Sequence, residues 1–118
     1  MLTFIPSQDS QTIAFKIEGT ITKENLQELE REISERFSKD QPFNAYAVIG
    51  QVKVPTINAL MEEVKIDMKR WSQYNKLAVV SEKNWLVTIT DLGDLLPGIE
   101  AKHFKAREAE QAWNWIRA

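Results

Sequence analysis

The apolar residues of this chain change period several times along its length, and that alternation limits the folds open to it. Ile13, Phe15 and Ile17 alternate with Ala14, Lys16 and Glu18, the period of two that marks a half-buried strand. Ile57, Leu60, Met61, Val64, Met68 and Trp71 instead follow the spacing i, i+3, i+4, i+7 and carry it two turns further, as one face of a helix does. Short apolar runs at 43–49 and 76–80 lie between such stretches and read as strands buried on both faces.

Turn and cap residues set the remaining boundaries. Residues 3–5 form a first strand, joined to a second over 12–18 by the polar turn Ser7-Gln8-Asp9-Ser10-Gln11. Gly19 and Thr20 end that strand. Thr22 is placed as a helix N-cap with Glu24 in the first turn, and Leu26, Leu29, Ile33 and Phe37 make one apolar stripe to about residue 38. Asp40-Gln41-Pro42 breaks the helix. Pro55 opens the second predicted helix, where its missing N–H costs nothing. A third predicted helix carries Trp85, Leu86, Ile89, Leu92, Leu95 and Leu96 and ends at Pro97-Gly98. Its Val87, Thr88, Ile89 and Thr90 are poor helix formers and Gly93 lies inside it, so its intrinsic stability is low. Residues 99–104 alternate as a short edge strand. An amphipathic helix over 108–116 turns Ala109, Ala112, Trp113 and Ile116 inward. The order is ββαβαβαβα, an α/β fold with a five-stranded, mostly parallel sheet, about four helices and an antiparallel first strand. No linker, repeat or low-complexity tract divides the chain, so residues 1–118 are expected to form a single domain.

Charge and composition exclude several functions. The net charge is −2; residues 1–50 carry 5 Lys+Arg against 8 Asp+Glu, and residues 51–118 carry 10 against 9. Neither half offers the basic surface that nucleic acid requires. Cysteine is absent, which removes disulfides, thiolate metal sites and a cysteine nucleophile together. The N-terminus shows no signal peptide, and the longest purely apolar run, Leu77-Ala78-Val79-Val80, is far below the roughly 20 residues of a membrane span. A cytoplasmic location without integral membrane contact is the expectation.

Few residues suit catalysis. His103 is the only histidine, and no G-x-S-x-G elbow accompanies it, so a structural or surface role is expected. Glu62, Glu63 and Asp67, and separately Asp91 and Asp94, read as solvated helix charges rather than a metal or acid–base pair. Glycines 19, 50, 93 and 98 fit no phosphate-binding loop, so no nucleotide cofactor is expected, nor any other. The surplus is apolar: Trp71, Trp85, Trp113 and Trp115 accompany Met61, Met68 and four leucines in the second half. Trp113 and Trp115 differ by about 200° around a helix, so one of them must lie at a rim or interface.

The strand-to-helix stretch from Phe15-Lys16-Ile17-Glu18-Gly19-Thr20 to Leu26 carries a family resemblance. So do Leu77-Ala78-Val79-Val80-Ser81-Glu82-Lys83-Asn84-Trp85 and the ending Phe104-x-x-x-Glu108-Ala109-x-x-Ala112-Trp113. Together with the Met-Leu-x-Phe-Ile-Pro start, they resemble the SpoIIAA-like family of small bacterial proteins with the STAS/Sec14 (CRAL-TRIO-like) fold. The resemblance implies a right-handed β-α superhelix, often dimeric. It also implies one of two functions: a phosphoserine-switched antagonist of an anti-sigma factor, or lipid binding in an apolar groove. The Asp-Ser-Ser-Gly switch motif is replaced here by Val54-Pro55-Thr56-Ile57, leaving Thr56 as the one hydroxyl suitably placed for phosphate. The expectation is therefore a non-catalytic module that binds a small hydrophobic or lipid-like ligand, or a second subunit. Its groove would lie between the second and third predicted helices, lined by Ile57, Leu60, Met61, Val64, Met68, Trp85, Ile89, Leu92 and Leu96. The alternative is a protein-interaction regulator acting at Thr56.

Overall fold

A computed structural model describes residues 1–20, 22–38, 40–52, 74–82 and 100–118. Five strands form one sheet in chain order: β1 (Leu2–Phe4), β2 (Thr12–Gly19), β3 (Phe43–Val52), β4 (Tyr74–Val80) and β5 (Glu100–Phe104). β1 runs antiparallel to β2, and β2 through β5 are mutually parallel, as the alternation of strand and helix patterns predicts. Helix α1 (Lys23–Arg36) follows β2, and α2 (Ala109–Arg117) follows β5 through a 3-10 turn, Ala106–Glu108. The helices predicted over 55–71 and 85–96 lie outside the described residues.

Thr22 caps α1 as expected. Its hydroxyl accepts from the Asn25 amide at 3.2 Å, and Asn25 Oδ1 accepts from the Thr22 amide at 3.0 Å, so two end donors of the helix are satisfied reciprocally. The helix ends at Arg36, two residues before the sequence boundary. Phe37 turns to extended backbone and stacks its ring on Phe43, centroids 4.9 Å apart. Burying that aromatic face outweighs another half turn of helix.

The sheet is buried on both faces. Ile13, Phe15, Ile17, Phe43, Ala45 and Ala47 pack with Ile33 of α1 and with Phe37 just beyond it on one side. Ala14, Tyr46, Ala78, Val80 and Phe104 pack with Ala112, Trp113 and Ile116 of α2 on the other. The expectation that β2 is half-buried is thus corrected: Thr12 to Phe15 are all buried, because α2 covers the face assigned to water. Alternation misled here because the second-face residue is alanine, small enough to sit beneath a helix without adding to the apolar pattern. Trp113 lies stacked on Tyr46 at 4.2 Å, whereas half-buried Trp115 sits at the rim between Phe104, 5.9 Å away, and the Lys76 ammonium, 5.3 Å from its ring. The two tryptophans divide as their spacing requires.

One irregularity is repaired by a side chain. The β3–β4 register shifts between Phe43 and Ala45, and at that shift Asn44 Oδ1 accepts from the Lys76 amide at 3.1 Å. Asn44 is buried beside Thr12, whose hydroxyl donates to Asp9 Oδ2 at 2.6 Å. Lys76 itself reaches α2, its ammonium donating to the oxygens of Trp115 at 2.9 Å and Ala118 at 2.8 Å. A cation thus meets the negative end of that helix.

Asn44→Ala leaves the half-buried Lys76 amide without its acceptor and is expected to lower stability by about 1–3 kcal/mol in urea unfolding. Tyr46 gives a pH-dependent counterpart. Burial pushes its phenol above the usual 10.0, and a side-chain hydrogen bond with Trp113 pulls partly the other way. An acid whose folded pKa is raised holds its proton more tightly in the native state. Its contribution is complete below pH 10.0 and is lost as the pH climbs through the raised value. Unfolding titrations should show stability falling above that pH, with a shallower fall in Tyr46→Phe.

Candidate functional site at the carboxyl edge of the sheet

β2, β3, β4 and β5 end along one edge of the sheet, at Gly19, Val52, Val80 and Phe104. Parallel α/β sheets place ligands in the crevice outside such carboxyl ends. Thr56 and Trp85 follow the ends of β3 and β4 in the chain. Both lie outside the described residues, as do Ile57, Leu60, Met61, Val64, Met68, Ile89, Leu92 and Leu96. The acidic groups at 62–67 and 91–94 lie outside them as well.

The described part of the edge is built from polar main chain and a few charged side chains. At the end of β2, Gly19 takes a φ of 65°, the left-handed conformation that glycine enters without strain. The Met1 ammonium donates to the carbonyl oxygens of Glu18 and Thr20, which fixes the β1 edge to this corner. Glu18 lies flat across Gly50 of β3 and pairs with Lys16, Oε1 to Nζ 2.6 Å. A Cβ on Gly50 would stand 2.7 Å from Glu18 Cγ, so the glycine makes room for the glutamate stem. None of these residues was a sequence candidate. Gly50, directly after the apolar run 43–49, is the one sequence signal of such a close approach.

At the end of β4, Ser81 is buried and bonded to β5 through both main-chain groups. Its amide donates to the Phe104 carbonyl at 2.9 Å, and its carbonyl lies 3.0 Å from His103 Nε2. A carbonyl oxygen only accepts, so Nε2 carries a proton and donates it. That nitrogen cannot act as a general base while the bond stands, and the half-buried ring serves as a strut between the last two strands. Among the described residues, no three His, Asp or Glu side chains gather to hold a metal ion. No helix among them is long and apolar enough to cross a membrane.

The Glu18–Gly50 contact is testable by a double-mutant cycle. Gly50→Ala is expected to cost about 0.5–1 kcal/mol in the native chain and to become neutral or stabilising in a Glu18→Ala background, read from urea midpoints. Equal effects in both backgrounds would show that the glutamate stem does not require the glycine.

Comparison with known proteins agrees with this architecture. The SpoIIAA-like family model matches residues 12–117. The fold is similar to that of an uncharacterised DUF3478-family protein with a SpoIIAA-like fold from Shewanella loihica PV-4. The TM-score is 0.69 at 19% identity, over 98% of this chain and 92% of that one. At that identity the likeness speaks for the fold alone. No curated protein matches the sequence. A family match running from the first residue of β2 to the last of α2 takes in the whole parallel sheet and both described helices, and the chain belongs to the SpoIIAA-like family.

Proposed function

We propose that this protein is a non-catalytic binding module whose ligand is small and hydrophobic or lipid-like. The observation that carries the reading is the apolar periodicity at Ile57, Leu60, Met61, Val64 and Met68, matched by Trp85, Ile89, Leu92 and Leu96. In the chain, both stretches follow the carboxyl ends of the adjacent parallel strands β3 and β4, and α/β folds take ligands outside such ends. Each stretch carries an apolar stripe, and two such stripes brought face to face would line a groove. The Nε2 donation of His103 to a main-chain carbonyl supports the non-catalytic part of the proposal.

Native mass spectrometry of protein purified from cells, followed by denaturing spectra of the same sample, tests it directly. The expected result is a non-covalent added mass that extracts into organic solvent. Trp85→Asp and Leu92→Asp are expected to lose that mass while far-UV circular dichroism stays near that of the parent. Added mass that survives both substitutions would overturn the groove. Ligand-free protein, together with a specific protein partner lost in Thr56→Glu, would instead favour the interaction regulator working through the Pro55–Asn58 stretch.

A further inference from the structure

β5 closes one side of the sheet, and Glu100 and Lys102 carry opposite charges on either side of Ala101. Chain direction within the ladder fixes which groups it offers. Ser81 donates to the Phe104 carbonyl, and Glu100, Lys102 and Phe104 lie opposite Lys76, Ala78 and Val80. In a parallel ladder the N–H and C=O of one residue face the same neighbour, and successive residues alternate. Glu100, Lys102 and Phe104 therefore turn their main chain toward β4, and Ala101 and His103 turn theirs outward. The side chains of Glu100 and Lys102 share one face of the sheet with Phe104. Both are exposed, and neither enters an ion pair among the described residues.

The geometry points to a second copy of this chain pairing along β5, antiparallel about a two-fold axis through Ala101. Two identical edge strands related by a two-fold run antiparallel by symmetry. Centring the axis on Ala101 makes the two alanines a hydrogen-bonded pair, each giving its outward N–H to the other's carbonyl. It also sets Glu100 opposite Lys102 of the second copy, and Lys102 opposite its Glu100, as non-hydrogen-bonded pairs whose Cβ atoms approach to about 4.5–5.5 Å. Two ion pairs form at once, and the small Ala101 side chain at the axis obstructs nothing.

Other registers fail. Centring on Lys102 sets two ammonium groups face to face and places Glu100 opposite Phe104. Centring on His103 places Lys102 opposite Phe104 and leaves Glu100 unmatched. A one-residue slip puts the alternate residues on the wrong face. A lone lysine on an edge strand guards it against pairing. Glutamate two residues before it makes the same edge selective for its own copy. Five residues of strand bury less than the roughly 1,200–2,000 Å² of a stable complex, so the dimer is concentration-dependent. Its pairing residues, Glu100, Ala101 and Lys102, are not among those proposed for the ligand groove.

Sedimentation velocity over a dilution series of the full chain, with circular dichroism to verify folding, decides the matter. The parent chain is expected to dimerise, and Glu100→Lys and Lys102→Glu each to weaken the dimer at least about tenfold by setting like charges opposite. An equimolar mixture of the two single variants is expected to regain dimer, because each lysine then faces a glutamate. The double variant E100K/K102E is expected to do so alone. Should Glu100→Lys disturb β5 beside Lys76, the exposed Lys102→Glu still gives the like-charge arm. A parent chain that remains monomeric throughout, a dimer indifferent to both single variants, or a mixture that fails to recover would overturn the proposal.

Discussion

β2 and β3 lie in the middle of a sheet packed against a helix on each face, and that two-sided packing governs much of what is described around it. A parallel sheet cannot leave one side wet, because the connections between its strands must pass over it. Here α1 takes one face through Ile33, with Phe37 just beyond it, and α2 the other through Ala112, Trp113 and Ile116. The alanines at 14, 45, 47 and 78 keep the sheet surface low, so a helix can approach while phenylalanine and tyrosine rings fill the space between. Polar groups caught in this layer must be satisfied internally. Asn44 does so for the Lys76 amide at the one place where the β3–β4 ladder slips.

Much of this architecture is legible in the residues. The change of apolar period locates all five strands, the Thr22 cap locates the start of α1, and the 200° separation of Trp113 and Trp115 foretells that one is core and one is rim. Legibility fails where tertiary context overrides a local pattern. Phe37 leaves the helix for a ring stack that no neighbour in sequence announces. Ala14 is buried by a helix almost a hundred residues further along, and an alanine gives no periodic signal of that. At the carboxyl edge, His103 could be read as structural from its isolation. Its carbonyl partner could not be read, because a main-chain acceptor leaves no mark on sequence.

Function divides along similar lines. Membership of the SpoIIAA-like family fixes the fold and leaves ligand and partner open, and the phosphoserine turn that the resemblance implies is replaced by Val54-Pro55-Thr56-Ile57. What then discriminates is the distribution of apolar and charged residues. The stretches after β3 and β4 are rich in large apolar side chains, whereas β5 carries alternating opposite charges on a short edge. The first composition suits a guest that avoids water, the second a strand that must choose its neighbour.

The tie between Lys76 and the oxygens of Trp115 and Ala118 spans about forty residues of chain, so it cannot form until α2 has been synthesised. Without α2, Tyr46, Ala78, Val80 and Phe104 lose the cover of Ala112, Trp113 and Ile116. The nascent sheet is therefore sticky for as long as translation of the final helix takes, and its solubility in the cell depends on how quickly those nine residues fold back. A stop codon or a slow-translating stretch before Ala109 would act on this protein as an aggregation signal, without changing one residue of its strands.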